Sequence, residues 1–213
     1  MSDLIQPIQA AVVQRQTEAV EGLIRAALAQ GVSPEAILEQ GLVAGLDAVG
    51  REFGQKTIFV PELLISAAVV KKGLALLRPL LSRPASGHRG LVLLATVKGD
   101  LHDIGKNILA MMLEGAGYRV VDLGVSVPAA EVVAQVAELK PAVVGLSALL
   151  TITMSEMGKV VEGLRRRGLR QGVVVMVGGA PVDAEFARRI GADLYCPTPA
   201  EAVERLGRLL GRG

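Results

Sequence analysis

A chain of 213 residues that is 51% hydrophobic and only 2% aromatic has ample apolar material for well-packed cores, and too few rings to stack nucleic-acid bases. Its 23 Lys and Arg are interspersed with 21 Asp and Glu, leaving a net charge of +2, which argues against a nucleic-acid partner, and no apolar stretch is long enough to span a membrane. The opening Met1 to Gln14 lacks the basic leader of a signal peptide and the lone Cys196 excludes an intrachain disulfide, so a soluble cytoplasmic protein is expected.

Residues 1–81 carry helical spacing and no strand. Ile8, Ala11 and Val12 begin one apolar stripe, and Val20, Leu23, Ile24, Ala27 and Leu28 form a second that ends at Gly31. Ser33 then stands where an N-cap belongs, with Pro34 at the first helical position and Glu35 in the first turn; the stripe behind them runs Ile37, Leu38, Leu42, Leu46, Val49, Phe53. A further helix starts at Val60 with Pro61 in its first turn and continues to about Leu77, before Pro79. A break near Thr17 raises the count from three helices to four, and the expected product is a small antiparallel bundle, a domain over residues 1–85. Ser82 to Gly90 is polar and rich in turn formers, which predicts an interdomain linker with His88 solvent-exposed inside it.

From Gly90 the pattern alternates. β-Branched runs at Leu91 to Val97, Tyr118 to Leu123, Ala142 to Ser147 and Val173 to Val177, with a short fifth at Asp193 to Cys196, are separated by helical segments near 104–116, 129–139, 154–168 and 182–190, and a last helix covers 199–211. Five such units over residues 90–213 predict an α/β domain: a doubly wound, flavodoxin-like (Rossmann-like) parallel sheet of order 2-1-3-4-5. The basic run Leu164 to Arg170 reads as a solvated helix end, and Cys196 as a small buried residue.

Ligands of such sheets sit beyond the carboxyl ends of the strands where the winding reverses. That rule brings together the segments after strands one, three and four: Gly99 to Gly105, Gly145 to Thr153 and Val177 to Pro181. The first has neither a dinucleotide fingerprint nor a P-loop, the second lacks the second glycine of a hydrolase elbow, and one histidine with one distant cysteine cannot build a tetrahedral zinc site. What remains is a single imidazole, His102, with Asp100 two residues away, placed to fix its tautomer; one protein ligand suits a metal whose other positions belong to a macrocycle. Taken alone, the pattern is better met by Asp100 or Asp103 capping the next helix while His102 packs locally, although capping by Asp103 and ligation by His102 are compatible.

Asp100 to Gly105, D-L-H-D-I-G, resembles the D-x-H-x-x-G motif of cobalamin-binding domains that hold their cofactor base-off with histidine on cobalt; Ser147 to Leu149 matches the accompanying S-x-L, and Gly178 and Gly179 the GG. With the helical N-terminal region, the resemblance covers almost the whole chain and is to the small corrinoid proteins of methyltransferase systems, similar to the cap and cobalamin-binding modules of cobalamin-dependent methionine synthase.

That resemblance implies His102 as the cobalt axial ligand, Asp100 as acceptor from its far nitrogen, and Thr153, where methionine synthase has serine, as a further relay hydroxyl. It implies that Ser147 and Leu149 line the channel for the nucleotide tail, Thr151 meets the corrin edge, Gly178 and Gly179 admit the tail, and Asp103 and Gly105 belong to the same cofactor-binding motif, Gly105 leaving the channel clear. Phe59, Pro61, Glu62 and Leu63 become candidates near the upper corrin face, with Phe59 and Leu63 as bundle core the alternative. The implied cofactor is cobalamin or a related corrinoid cycling between methylcobalamin and cob(I)alamin. The implied role is a methyl carrier between a substrate-specific methyltransferase and an acceptor methyltransferase, using tetrahydrofolate or a thiol, served by a reductive activation protein. Such a subunit is not catalytic alone. A cobalamin-responsive regulator and the small subunit of an adenosylcobalamin mutase are the alternatives.

Overall fold

The computed structural model describes residues 2–81 and 89–210, so the expectation for His88 lies outside the described residues. The chain divides into two compact units, Met1–Leu81 and Ser82–Gly213. No described helix is long and apolar enough to cross a membrane.

The first unit is all helical: α1 (Ser2–Val13), α2 (Val20–Ala29), α3 (Pro34–Ala36), a π-helical stretch (Ile37–Val43), α4 (Ala44–Gly54) and α5 (Val60–Leu81). The expected break near Thr17 is a turn in which Arg15 takes φ 61°. Ser33 caps as its position predicts, its hydroxyl accepting the Ala36 N–H at 3.2 Å. The apolar stripes meet in a core of Ile8, Ile24, Ile37, Leu38, Leu42 and Leu77, all fully buried. Helix α5 runs past Pro79 to Leu81 and does not stop near Leu77. With one turn left, proline removes a single backbone hydrogen bond, and the burial of Leu81 offsets that loss. Backbones approach closely where glycines face neighbours: a Cβ on Gly45 would lie 2.8 Å from Val12 Cβ and 3.1 Å from the Gln9 carbonyl oxygen.

The second unit comprises β1 (Leu91–Thr96), α6 (Ile104–Gly115), β2 (Arg119–Asp122), α7 (Ala129–Leu139), β3 (Val143–Ser147), α8 (Met154–Arg166), β4 (Val174–Gly178), α9 (Ala184–Ile190), β5 (Leu194–Tyr195) and α10 (Pro199–Leu210). All strands are parallel in the order β2-β1-β3-β4-β5, as the alternating pattern predicts. Strands β1 and β3 are buried along nearly their whole length because helices cover both faces. Val132, Val136, Met157, Val161, Leu164 and Phe186 from α7, α8 and α9 pack one face; Leu113 and Leu206 from α6 and α10 pack the other. The register sets Thr96 beside Ser147 and Ser147 beside Gly178, so the three strand ends finish level. The basic run is only partly a solvated helix end. Arg165 and Arg166 occupy the last turn of α8, but Arg170 turns inward, pairing with Asp193 at 2.7 Å and donating to the carbonyls of Val173 and Gly191.

Packing and propensity make opposite predictions at two helical glycines of one helix. Gly50 of α4 is exposed and a Cβ there meets nothing within 4 Å, so Gly50→Ala should raise stability by about 0.5–1 kcal/mol in urea melts. Gly45→Ala must push α1 and α4 apart and should lower it by about 1–3 kcal/mol in the same assay.

Candidate functional site

The site is built around a buried charge. Val97 to Asp100 form a tight turn after β1, closed by the Asp100 N–H donating to the Val97 carbonyl at 3.1 Å, with Gly99 at φ +81° where a side chain would be strained. The turn carries the Asp100 side chain inward until the residue is fully buried. Its Oδ1 accepts the backbone N–H of His102 at 3.1 Å and the ring Nδ1 of His102 at 2.7 Å. Its Oδ2 accepts the N–H groups of Leu149 and Leu150 at 2.7 and 3.1 Å, and the hydroxyl of Thr153 at 2.8 Å. Burial pushes the Asp100 carboxyl up, but the hydrogen bonds from His102, Leu149 and Thr153 outweigh it and hold the group at about 2. Asp100 is therefore an anion at neutral pH, and the N-terminal end of α8 just beyond Thr153 adds to its stabilisation.

The consequence for His102 is chemical. An ionised carboxylate only accepts hydrogen bonds, so Nδ1 carries the hydrogen that lies between them, and in the neutral ring Nε2 keeps its lone pair. The His102 side chain is 50% exposed although its anchor is not. Its backbone carbonyl accepts the Thr96 hydroxyl at 2.9 Å, which fixes the main chain behind the ring. Around it stand exposed apolar side chains: Leu101 at 71% and Ile152 at 81%, with Leu149, Leu150 and Val125 also open to solvent. An imidazole with a free nitrogen in an apolar surround fits one face of a macrocycle with a metal at its centre. Among the described residues no three His, Cys, Asp or Glu side chains converge as a metal cage.

The remaining expected residues fall into place unequally. Leu149 reaches the site through both its amide and its exposed side chain, Thr151 is exposed on the same loop, and Ser147 sits half-buried at the end of β3. Thr153, expected as a relay hydroxyl, lies within 2.8 Å of both Asp100 Oδ2 and the Leu150 carbonyl oxygen. Asp103 occupies the N-cap position of α6 but makes no side-chain cap hydrogen bond, and Asp100 is committed to the loops, so neither carboxylate caps the helix as the simpler account required. Gly105 borders open space. The chain itself demands glycine at the other two positions: a Cβ on Gly178 would lie 2.8 Å from the Cys196 carbonyl oxygen, and on Gly179, at φ +125°, 1.8 Å from that of Ala148. Cys196 is buried as expected, and that burial pushes its thiol up to about 11.

In the helical unit Phe59 is 70% exposed, which rules it out of the bundle core, and Leu63 is half-buried. Glu62 accepts the Phe59 N–H at 2.7 Å and so helps start α5, while Pro61 is exposed. Two further side chains hold the His102 loop by bonds to its backbone: Thr96 at the end of β1 and Ser126 in the turn beyond β2, residues whose type carries no sequence signal of that role.

Comparison with known proteins agrees with this geometry. Residues 90–206 match a B12 binding domain, and residues 4–78 match a second B12 binding domain family. The chain is 39% identical to the trimethylamine corrinoid protein of Methanosarcina barkeri over 206 residues, which is 96% of this chain and 95% of that one. The solved structure of the Methanosarcina barkeri monomethylamine corrinoid protein superposes with a TM-score of 0.93 at 31% identity, covering 98% of this chain and 99% of that one. A chain of the crystal structure of the methanol:cobalamin methyltransferase complex from the same organism matches at a TM-score of 0.57 and 30% identity, covering 99% and 81%. The chain thus belongs to the B12-binding corrinoid proteins associated with methyltransferases.

Proposed function

We propose that the chain carries a methyl group within a corrinoid-dependent methyltransferase system, and that His102 would be the residue that holds the cobalt of cobalamin or a related corrinoid. The observation that carries this reading is the His102 ring fastened through Nδ1 to the buried Asp100, with half its surface open among exposed apolar side chains. When bound, the corrinoid supplies a cobalt centre that takes up a methyl group and hands it on.

The chain's own residues do the rest. Asp100 keeps hydrogen on Nδ1 and so keeps Nε2 available as the ligand atom; Thr153 and the amides of Leu149 and Leu150 hold the carboxylate in place. Leu101, Leu149 and Ile152 would exclude water below the macrocycle, and Thr151 would meet its edge. Ser147, Gly178 and Gly179, level at adjoining strand ends, would border the tail of the cofactor, with Asp103 and Gly105 at the start of α6 beside it. The helical unit would act as the cofactor's cap. Phe59, Val60, Leu64 and Ile65, exposed around the start of α5, support that role because apolar surface of this kind needs a cover.

The partners follow from the same reading. A substrate-specific methyltransferase would load the carrier and an acceptor methyltransferase, using tetrahydrofolate or a thiol, would unload it, with a reductive protein restoring oxidised cobalt, all in the cytoplasm. Similar chains named for trimethylamine and monomethylamine, and one from a methanol:cobalamin methyltransferase complex, support methyltransferase partners. The matches extend across almost the whole chain and favour neither a regulator nor a mutase subunit.

His102→Ala should keep the fold by circular dichroism, remove the histidine-nitrogen splitting from the paramagnetic resonance spectrum of the cobalt(II) protein, and abolish methyl transfer; unchanged splitting contradicts the assignment. Asp100→Asn should retain cofactor but weaken histidine ligation or transfer by about 10–100-fold, measured with a reduced, cofactor-loaded protein. Because Asp100 is held near 2 in the folded chain and lies near its ordinary value when unfolded, its contribution is complete above about pH 4 and fades as pH falls towards 2. Acid titration of stability should show a component of about 2 kcal/mol lost over that window, absent from the Asn variant.

A further inference from the structure

The turn after β2 grips the loop that carries His102. Asp122, at the end of β2, accepts the Gly124 N–H at 2.9 Å and pairs with Lys106 of α6, whose side chain is only 3% exposed. At the far end of the turn Val127 bridges to Val97 and donates its N–H to the Thr96 carbonyl at 3.0 Å. The Gly124 carbonyl accepts the Thr96 N–H at 3.0 Å. The turn is thus fastened to β1 and α6, and Ser126 sits inside it.

Ser126 has φ 53°, a left-handed conformation that costs a non-glycine residue about 1 kcal/mol or more. Glycine or asparagine would adopt it more readily, so the serine side chain needs a reason. Its hydroxyl accepts the Gly99 N–H at 3.0 Å, and its own N–H donates to the Asp100 carbonyl at 2.9 Å. These two bonds fix the peptides on either side of the Gly99–Asp100 pair. A Cβ on Gly99 would lie 3.6 Å from the Thr153 methyl. Both His102 contacts to Oδ1 depend on where the Asp100 backbone stands. Any rotation of that backbone therefore swings the imidazole.

We propose that Ser126 is a positioning residue for His102, acting through Gly99 and Asp100 and without touching the ring itself. The proposal rests on the reading of His102 as the corrinoid ligand. Ser126 sets how much of the loaded protein holds cobalt through histidine, because a loosened Gly99–Asp100 pair spreads Nε2 over several orientations.

The test uses three variants of the full chain. Ser126→Gly deletes the hydroxyl and relieves the strained φ; Ser126→Ala deletes it and keeps the strain; Ser126→Asn offers a replacement acceptor in a residue that tolerates this conformation. Hydrogen exchange at the Gly99 amide of the ligand-free protein should quicken by roughly tenfold in the Gly and Ala variants, as expected for loss of one hydrogen bond, with amides inside β3 unchanged. In the cobalt(II) holoprotein the ratio of histidine-ligated to unligated cobalt, read from nitrogen splitting, should fall about three- to tenfold in both, and Asn should restore much of each effect. Wild-type exchange at Gly99 together with wild-type ligation in the Gly and Ala variants overturns the proposal, as does a loss that Asn leaves unrepaired. If the wild-type holoprotein itself shows no histidine nitrogen, the ligand reading has failed, and the Gly99 exchange alone then decides whether Ser126 orders the turn.

Discussion

A single buried carboxylate organises this molecule. Removing a charge from water is costly, and Asp100 is fully buried, yet five donors from two chain segments converge on its two oxygens. The arrangement is mutually dependent. The loop after β1 stays where it is because the loop before α8 supplies three of the donors, and that loop gains a fixed conformation in return. The imidazole of His102 inherits its orientation from the same carboxylate, so a half-exposed ring is held by a fully buried group. Any function assigned to His102 relies on that transfer of rigidity from core to surface.

The parallel sheet makes the convergence possible. Crossover helices on both faces bury β1 and β3 and force their carboxyl ends to finish side by side, with Thr96, Ser147 and Gly178 in register. Only then can residues about 50 positions apart share one carboxylate. Close approach is enforced again at Gly179, whose backbone presses on the Ala148 carbonyl where no side chain could fit. Leu101, Leu149 and Ile152 complete the picture by leaving apolar surface exposed around the ring, an expense that a chain without a large apolar ligand would avoid.

Much of this was legible in the residues themselves. Alternating β-branched runs and helical stripes announced the sheet and its order, because periodicity and the handedness of crossovers leave few topologies. The triplet Asp100, Leu101, His102 announced an imidazole with a carboxylate partner, and its agreement with S-x-L and GG at the neighbouring strand ends pointed to one site. Contacts made through backbone were not legible. Ser126 and Thr96 act on peptide groups, which carry no residue signature, and both glycines at the end of β4 are required by neighbouring carbonyls within the chain, a reason invisible before the strands are placed. Helix α5 outruns the stop that Pro79 predicts because a proline near a helix terminus costs little when an apolar residue such as Leu81 beyond it is buried. Arg170 departs from the solvated helix end because a basic run does not reveal which member faces Asp193.

Membership among the methyltransferase-associated corrinoid proteins gives this architecture its purpose, and the state of one ring decides whether the architecture serves it as argued. Long-range proton–nitrogen correlation spectra of the ligand-free protein, recorded in mildly alkaline buffer, report directly which His102 nitrogen bears hydrogen. The account predicts hydrogen on Nδ1, drawn towards Asp100, and a bare Nε2 held in one environment. A ring protonated on Nε2, or one whose two nitrogens average as in free imidazole, would contradict it.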